Sequence, residues 1–222
     1  MSEAARGDAP FGAGGVQPYE LALQSKASRL VLRGVDDNTE VVLDVARFLT
    51  APSAAECKIV RSLPGPILDL GCGPGRMLQA AYSAGHPALG VDISAESIAI
   101  AHARGLQARH CSVFDELPDE GGWGAAMLVD GNVGIGGDPL RLLRRCANLI
   151  RPGGTLLIEA HPEPRRDRRF NAVLVGEDGQ PSGPFPWAEV GARQLRSLGP
   201  NVGLTYLHTR RVGRRRFALL RS

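Results

Sequence analysis

The sequence predicts an α/β fold in three layers. A mostly parallel seven-stranded sheet lies between helices, with an antiparallel hairpin at one edge and a helical cap at the N-terminal side. Three observations carry this. From Pro66 onward, short apolar runs alternate with segments of helical period, the pattern of parallel strand–helix–strand units. The first of these runs, Ile67 to Leu70, leads directly into Gly71, Gly73 and Gly75, glycines placed where a tight turn passes beside a ligand. Near the end, Val202 to Thr209 and Arg215 to Leu220 are strand-like runs around a glycine-containing turn.

Each element follows in order. Residues 1–17, polar, small and glycine-rich, predict a flexible tail with no apolar core of a signal peptide. Residues 18–62 carry mixed helical periodicity (Leu21, Leu23, Leu30, Leu32, then Val42, Val45, Phe48, Leu49) and predict the helical cap. The core is expected over 63–222. Its strands are Ile67 to Leu70, Ala88 to Asp92, Gln107 to Cys111, Ala125 to Asp130 and Thr155 to Glu159. Between them lie helices over Arg76 to Ser83, from an N-cap at Ser94 through Ala103, and over Pro139 to Ile150. The Pro-, Gly- and Arg-rich stretch 162–186 predicts an inserted hairpin or flap, with strands at Phe170 to Val175 and about 180–184. A last helix is expected from Trp187 to Leu198.

Composition excludes several classes of protein. A chain of 222 residues with 43% apolar content can bury a core of its own, yet no apolar run approaches the roughly 18 residues of a membrane span. Cys57, Cys72, Cys111 and Cys146 form no C-x-x-C pair, so neither a zinc knuckle nor a redox dithiol is expected, and a reducing cytoplasm is. The arginines crowd into 165–169 and 210–216. Few aromatic residues interleave them, so a nucleic-acid partner is not expected.

The glycine turn places bare backbone against a ligand, and Asp92 ends the next strand about 20 residues later, where a carboxylate meets a ribose hydroxyl pair. Two details shift the expected guest. The third glycine comes one residue earlier than in G-x-G-x-x-G, and Asp69 stands two residues before the first. That acid would repel a pyrophosphate but suits the ammonium group of S-adenosylmethionine. Cys72, within the turn, reads as a small apolar filler.

In order, ILDLGCGPG, GVDIS, VFDELP, AAMLVD and LIRPGGTLLIE resemble the class I S-adenosylmethionine-dependent methyltransferases, over roughly residues 66–160. The resemblance implies a Rossmann-like fold, S-adenosylmethionine as cofactor and a small-molecule acceptor. It implies that Asp69, Gly71, Cys72 and Gly73 receive the methionine portion and that Asp92 binds the ribose hydroxyls with Ile93 against adenine. Ser112 and Val113 would stand where the family often shows an acid, a hydroxyl taking its place. Asp130 would lie near the methyl group and Asn132 on the substrate side.

A sulfonium methyl is already activated, so alignment of the acceptor is the main requirement and a base is secondary. Asp130 and His161 are the candidate bases. Arg165 and Arg168, after the fifth strand, suggest an anionic acceptor. Trp187 and Phe185 are candidates for a lid over it. Two alternatives stand beside this reading: an NAD-dependent oxidoreductase, and an RNA-binding or RNA-methylating protein.

Overall fold

The computed structural model describes residues 17–25 and 30–222. The expected tail, save its last residue, lies outside them. Seven strands form the main sheet: β3 (Ile67–Leu70), β4 (Ala88–Asp92), β5 (Ala108–His110), β6 (Trp123–Leu128), β7 (Ile150–Ala160), β10 (Thr205–Val212) and β11 (Arg215–Arg221). Their order is β10-β11-β7-β6-β3-β4-β5; β3 to β7 run parallel, and the β10–β11 hairpin is antiparallel along the β7 edge.

Alternation along each strand divides the core between the two faces of this sheet. Ile67, Ala125, Met127 and Leu157 pack with α3 (Ala54–Arg61), α4 (Arg76–Ser83) and α5 (Ala95–Ala103). Leu68, Ala126, Leu128, Leu156 and Ile158 pack on the other side with α6 (Pro139–Leu149) and α7 (Ala192–Leu198). These are the three layers. Capping fixes where the helices begin: Ser94 accepts the N–H of Ser97 at α5, and Asp138 accepts those of Leu140 and Arg141 before Pro139 opens α6. At α3, Ser53 and Glu56 form a reciprocal capping box.

The N-terminal segment is not the all-helical cap expected over 18–62. It holds α1 (Gln17–Ser25), α2 (Val45–Leu49) and α3, but also β1 (Leu30–Gly34) and β2 (Glu40–Leu43). These strands join β8 (Asp167–Val175) and β9 (Phe185–Val190) in a second, antiparallel sheet of order β2-β1-β8-β9. Leu30-Val31-Leu32 is too short for periodicity to separate strand from helix, and the residues opposite Val31 and Leu32, Val175 and Leu174, lie far along the chain. The same pairing corrects two later expectations. Trp187 sits opposite Phe170 within β9, so the last helix starts only at Ala192, and the second strand of the insertion falls at Phe185–Val190 instead of 180–184. Tyr19, Leu32, Val45, Leu174, Phe185 and Trp187 form a third core beneath this sheet.

Candidate active site

The carboxyl ends of β3, β4, β5 and β6 open on one crevice, and the second sheet walls its far side. The crevice is a cavity of about 790 Å³, a size that holds a cofactor with a small second molecule.

At its floor, β3 delivers Asp69, only 2% exposed, with Oδ2 buried and lacking a hydrogen-bond partner. Burial, reinforced by the charge of Asp130, pushes this carboxyl up to about 7, with Arg76 pulling the other way. The turn above offers no spare donors. Gly71 and Cys72 donate to the Val91 carbonyl at 2.8 and 3.0 Å, Gly73 to Asp92 at 2.8 Å, and Gly75 to the Cys72 carbonyl at 3.1 Å. Pro74 has no N–H to give. A pyrophosphate would find acceptors there where it needs donors, whereas an ammonium group meets the oxygen it requires at Asp69. The glycines also leave room. A Cβ on Gly71, at φ +74°, would lie 2.6 Å from the Asn132 amide, and one on Gly73 would lie 3.3 Å from the Tyr19 hydroxyl.

Asp92 ends β4 with both oxygens anchored, Oδ2 on the Gly73 N–H and Oδ1 on that of Ser94 at 2.9 Å. Burial raises its carboxyl while these backbone bonds oppose the rise. Each oxygen keeps a lone pair for a ligand hydroxyl. Ile93, Ser112 and Val113 line the same end of the cavity. The Ser112 hydroxyl accepts the Phe114 N–H at 3.2 Å, and Asp115, also on the cavity wall, accepts the Ser112 N–H at 2.8 Å. Asp115 thus brings a carboxylate to this end of the cavity.

Asp130 lies on the cavity with φ +57°, but its carboxylate is held by three guanidiniums: Arg76, Arg215 at 3.0 Å and Arg47 at 3.2 Å. Glu159 accepts the Asp130 N–H at 2.7 Å and pairs with Arg215, while Glu56 receives Arg76, Arg215 and Arg47. Three cations and three anions close this network. Burial raises the Asp130 carboxyl while the charges of Arg76, Arg215 and Arg47 oppose the rise, and the same ion pairs hold the loop after β6 in place. Asn132 lines the cavity, but its amide turns back to the carbonyls of Leu70 and Gly71 at 3.0 and 2.7 Å. His161, just past β7, lines the cavity; its backbone N–H donates to the Val190 carbonyl at 2.8 Å and its ring Nδ1 accepts the Glu163 backbone N–H at 3.1 Å.

Arg165 and Arg168 do not reach the cavity. Arg165 is exposed, and Arg168 stacks on Phe170 while pairing with Asp37 at 2.6 Å and with Glu189 at 3.6 Å. Of the two aromatic lid candidates, Trp187 lines the cavity and Phe185 is buried in the third core. Tyr19, Glu56, Arg76, Asp115, Glu159 and Arg215 escaped the sequence reading. Asp115 and Glu159, inside recognised motifs, and Arg76, just after one, carried a local signal; Tyr19, Glu56 and Arg215 are brought in only by tertiary folding.

A family model described as a methyltransferase domain matches residues 40–209. The chain is 32% identical over 124 residues to the ubiquinone biosynthesis O-methyltransferase of Xanthomonas campestris pv. campestris strain B100, covering 53% of this chain and 51% of that protein. The enzyme of the same name from Bordetella avium is 30% identical over 118 residues, covering 50% and 48%. The chain thus spans about half the length of the curated relatives it matches. Among solved structures, a SAM-dependent methyltransferase from Bacteroides fragilis in complex with S-adenosyl-L-homocysteine superposes with a TM-score of 0.73 at 21% identity, over 96% of this chain and 94% of that one. The 1,6-didemethyltoxoflavin-N1-methyltransferase of Burkholderia thailandensis gives 0.54 at 20% identity, over 76% and 77%. The chain belongs to the methyltransferase-domain family, within the class I S-adenosylmethionine-dependent methyltransferases. Among the described residues, no helix is long and apolar enough to cross a membrane.

Proposed function

We propose that the protein transfers the methyl group of S-adenosylmethionine to a small, largely apolar acceptor. The observation that carries this reading is the partnerless Oδ2 of Asp69 beneath a turn whose own N–H groups are all engaged, with the anchored carboxylate of Asp92 beside it. When bound, the cofactor supplies a methyl group already activated for displacement. Asp69 and Asp92 would hold its cationic and ribose portions, and Ile93, Val113 and Asp115 would border its base.

The remaining half of the cavity is walled by Leu32, Val41, Leu43 and Phe48 from the N-terminal segment and by Ile135 and Trp187. We infer that this segment encloses the acceptor and excludes water. Its apolar character replaces the anionic acceptor expected from Arg165 and Arg168. The curated relatives are named O-methyltransferases, which favours oxygen as the receiving atom. The cavity's bounded volume suits a small molecule, and thiols left unpaired at all four cysteines suit a reducing cytoplasm.

Titration calorimetry with S-adenosylhomocysteine and with NAD tests the cofactor reading. The homocysteine compound should bind and NAD should not. Binding of NAD alone would overturn it.

A further inference from the structure

A second cavity, of about 530 Å³, lies toward the amino ends of β3 and β7, away from the crevice at their carboxyl ends. Ser62, Leu63 and Pro64, between α3 and β3, form one wall, and β7, β10 and β11 form the floor. Thr155 lies opposite Arg221, and Arg210 lies opposite Phe217, all on the sheet face that carries α3. A β-bulge adds to them. The register slips between Tyr206 and His208, so the successive residues Leu207 and His208, which a regular strand would turn to opposite faces, both line the cavity.

Among the described residues none of the lining groups is acidic, and several hydrogen-bond donors have no acceptor. The Thr155 side chain is 6% exposed, yet its hydroxyl makes no hydrogen bond. The side chains of His208 and Arg221 make none either, and Arg210 reaches only the Ser62 hydroxyl at 3.5 Å, the limit for such a bond. Two nearby sources of negative charge are already engaged. The Ser222 oxygen takes the Gly153 N–H at 3.1 Å, with no ion pair to Arg221, and the Ile59 and Val60 carbonyls that end α3 are capped by the Ser62 and Leu63 N–H groups at 3.0 Å. Like charges gathered on one sheet face repel, so Arg210 and Arg221 leave this face short of an anion.

We propose that this cavity is a second binding site, for a phosphate monoester on a small apolar body. Such a phosphate carries close to two negative charges near neutral pH, which two guanidiniums balance through paired N–H donors. The His208 ring, between the two arginines along the strands, and the Thr155 hydroxyl add donors for the remaining oxygens. Leu63, Pro64, Leu207 and Leu219 give the organic body an apolar surface, and Leu207 is 37% exposed without one. A bare phosphate would leave most of the volume unfilled. The site is separate from the methyl-transfer crevice and does not rest on that reading.

The test is titration calorimetry on the full chain in a phosphate-free buffer, with phenyl phosphate and inorganic phosphate as probes. Phenyl phosphate should bind at one saturable site, and inorganic phosphate at least about tenfold more weakly. Arg210→Ala and Arg221→Ala should each weaken phenyl phosphate at least about tenfold, and Thr155→Val about three- to tenfold. Arg211→Ala, which removes the same charge from the other face of β10, should change affinity less than about twofold. In the unaltered protein, phenyl phosphate should slow amide hydrogen exchange over residues 205–210. No saturable binding at about 10 mM, an equal loss in Arg211→Ala, or unchanged affinity when Arg210 and Arg221 are both replaced by Ala would overturn the proposal. So would slowed exchange confined to the crevice, or adhesion to phosphatidic acid vesicles that phenyl phosphate does not displace, which would mark the arginines as a lipid-surface contact.

Discussion

The Asn132 amide donates to the carbonyls of both Leu70 and Gly71, so the loop after β6 is fastened to the glycine turn after β3. The two walls of the crevice are one unit. Asn132→Ala should leave two part-buried carbonyls short of a donor and cost about 1 to 3 kcal/mol. Urea denaturation would read the loss, with cofactor affinity falling in parallel. Gly71→Ala, which must fit a Cβ against that amide at φ +74°, should weaken S-adenosylhomocysteine binding at least about tenfold and lower the melting temperature.

Asp92 joins two neighbouring strand ends by accepting the Gly73 N–H. Asp92→Ala should cost about 1.5 to 3 kcal/mol of cofactor affinity, the range for a hydrogen bond to a charged group. Calorimetry would measure it. Unchanged affinity would remove Asp92 from the binding site.

Asp69 predicts a pH dependence with a definite sign. Its folded-state pKa of about 7 lies above the ordinary 3.8, so the folded protein holds a proton that the unfolded chain releases. Its contribution to stability is complete below about pH 4 and is lost as pH rises to about 7, on the order of 4 kcal/mol. Asp69→Asn should flatten that part of the curve of unfolding free energy against pH. A ligand ammonium favours the ionised carboxylate, so S-adenosylhomocysteine should bind more weakly below pH 7 and release a proton on binding. Calorimetry in two buffers of different ionisation enthalpy would detect that proton, and the mutant should release none from this position.

Glu56 predicts the opposite sign. Burial pushes its carboxyl up, but the Ser53 N–H and the Arg76 guanidinium outweigh burial and hold it well below the usual range. Its contribution is therefore present above pH 4.5 and lost as pH falls. Glu56→Ala would strip a partner from Arg76, which is 3% exposed, and should cost about 3 to 5 kcal/mol in urea denaturation.

Sequence conveyed the parallel core well because each of its strands is a short apolar run closed by a turn signal, as at Leu70-Gly71 and Leu128 to Gly131. It conveyed part of the cavity wall for the same reason: Asp69, Asp92 and Ile93 sit in or next to strand ends that the pattern locates, Val113 follows another, and all line the cavity. The second sheet was illegible. Strand β1 pairs with β8, and no local pattern reports a partner so remote. Charged residues misled for a related reason. Arg165 and Arg168 follow a strand that leads to the cavity, but a long side chain takes the nearest anion, and for Arg168 that is Asp37 on the turn between β1 and β2. Arg215 looked like one more surface arginine and is half of a part-buried pair with Glu56.

That pair joins residues separated by 159 positions. The electrostatic balance around Asp130 cannot exist in any folding intermediate that lacks either the α3 region or the β10–β11 hairpin. The crevice therefore depends on contacts between segments far apart in the chain, the kind whose closure contact order penalises. A partly folded chain could have its Rossmann-like layers in place and still hold an unbalanced, hydrated loop where the acceptor must sit.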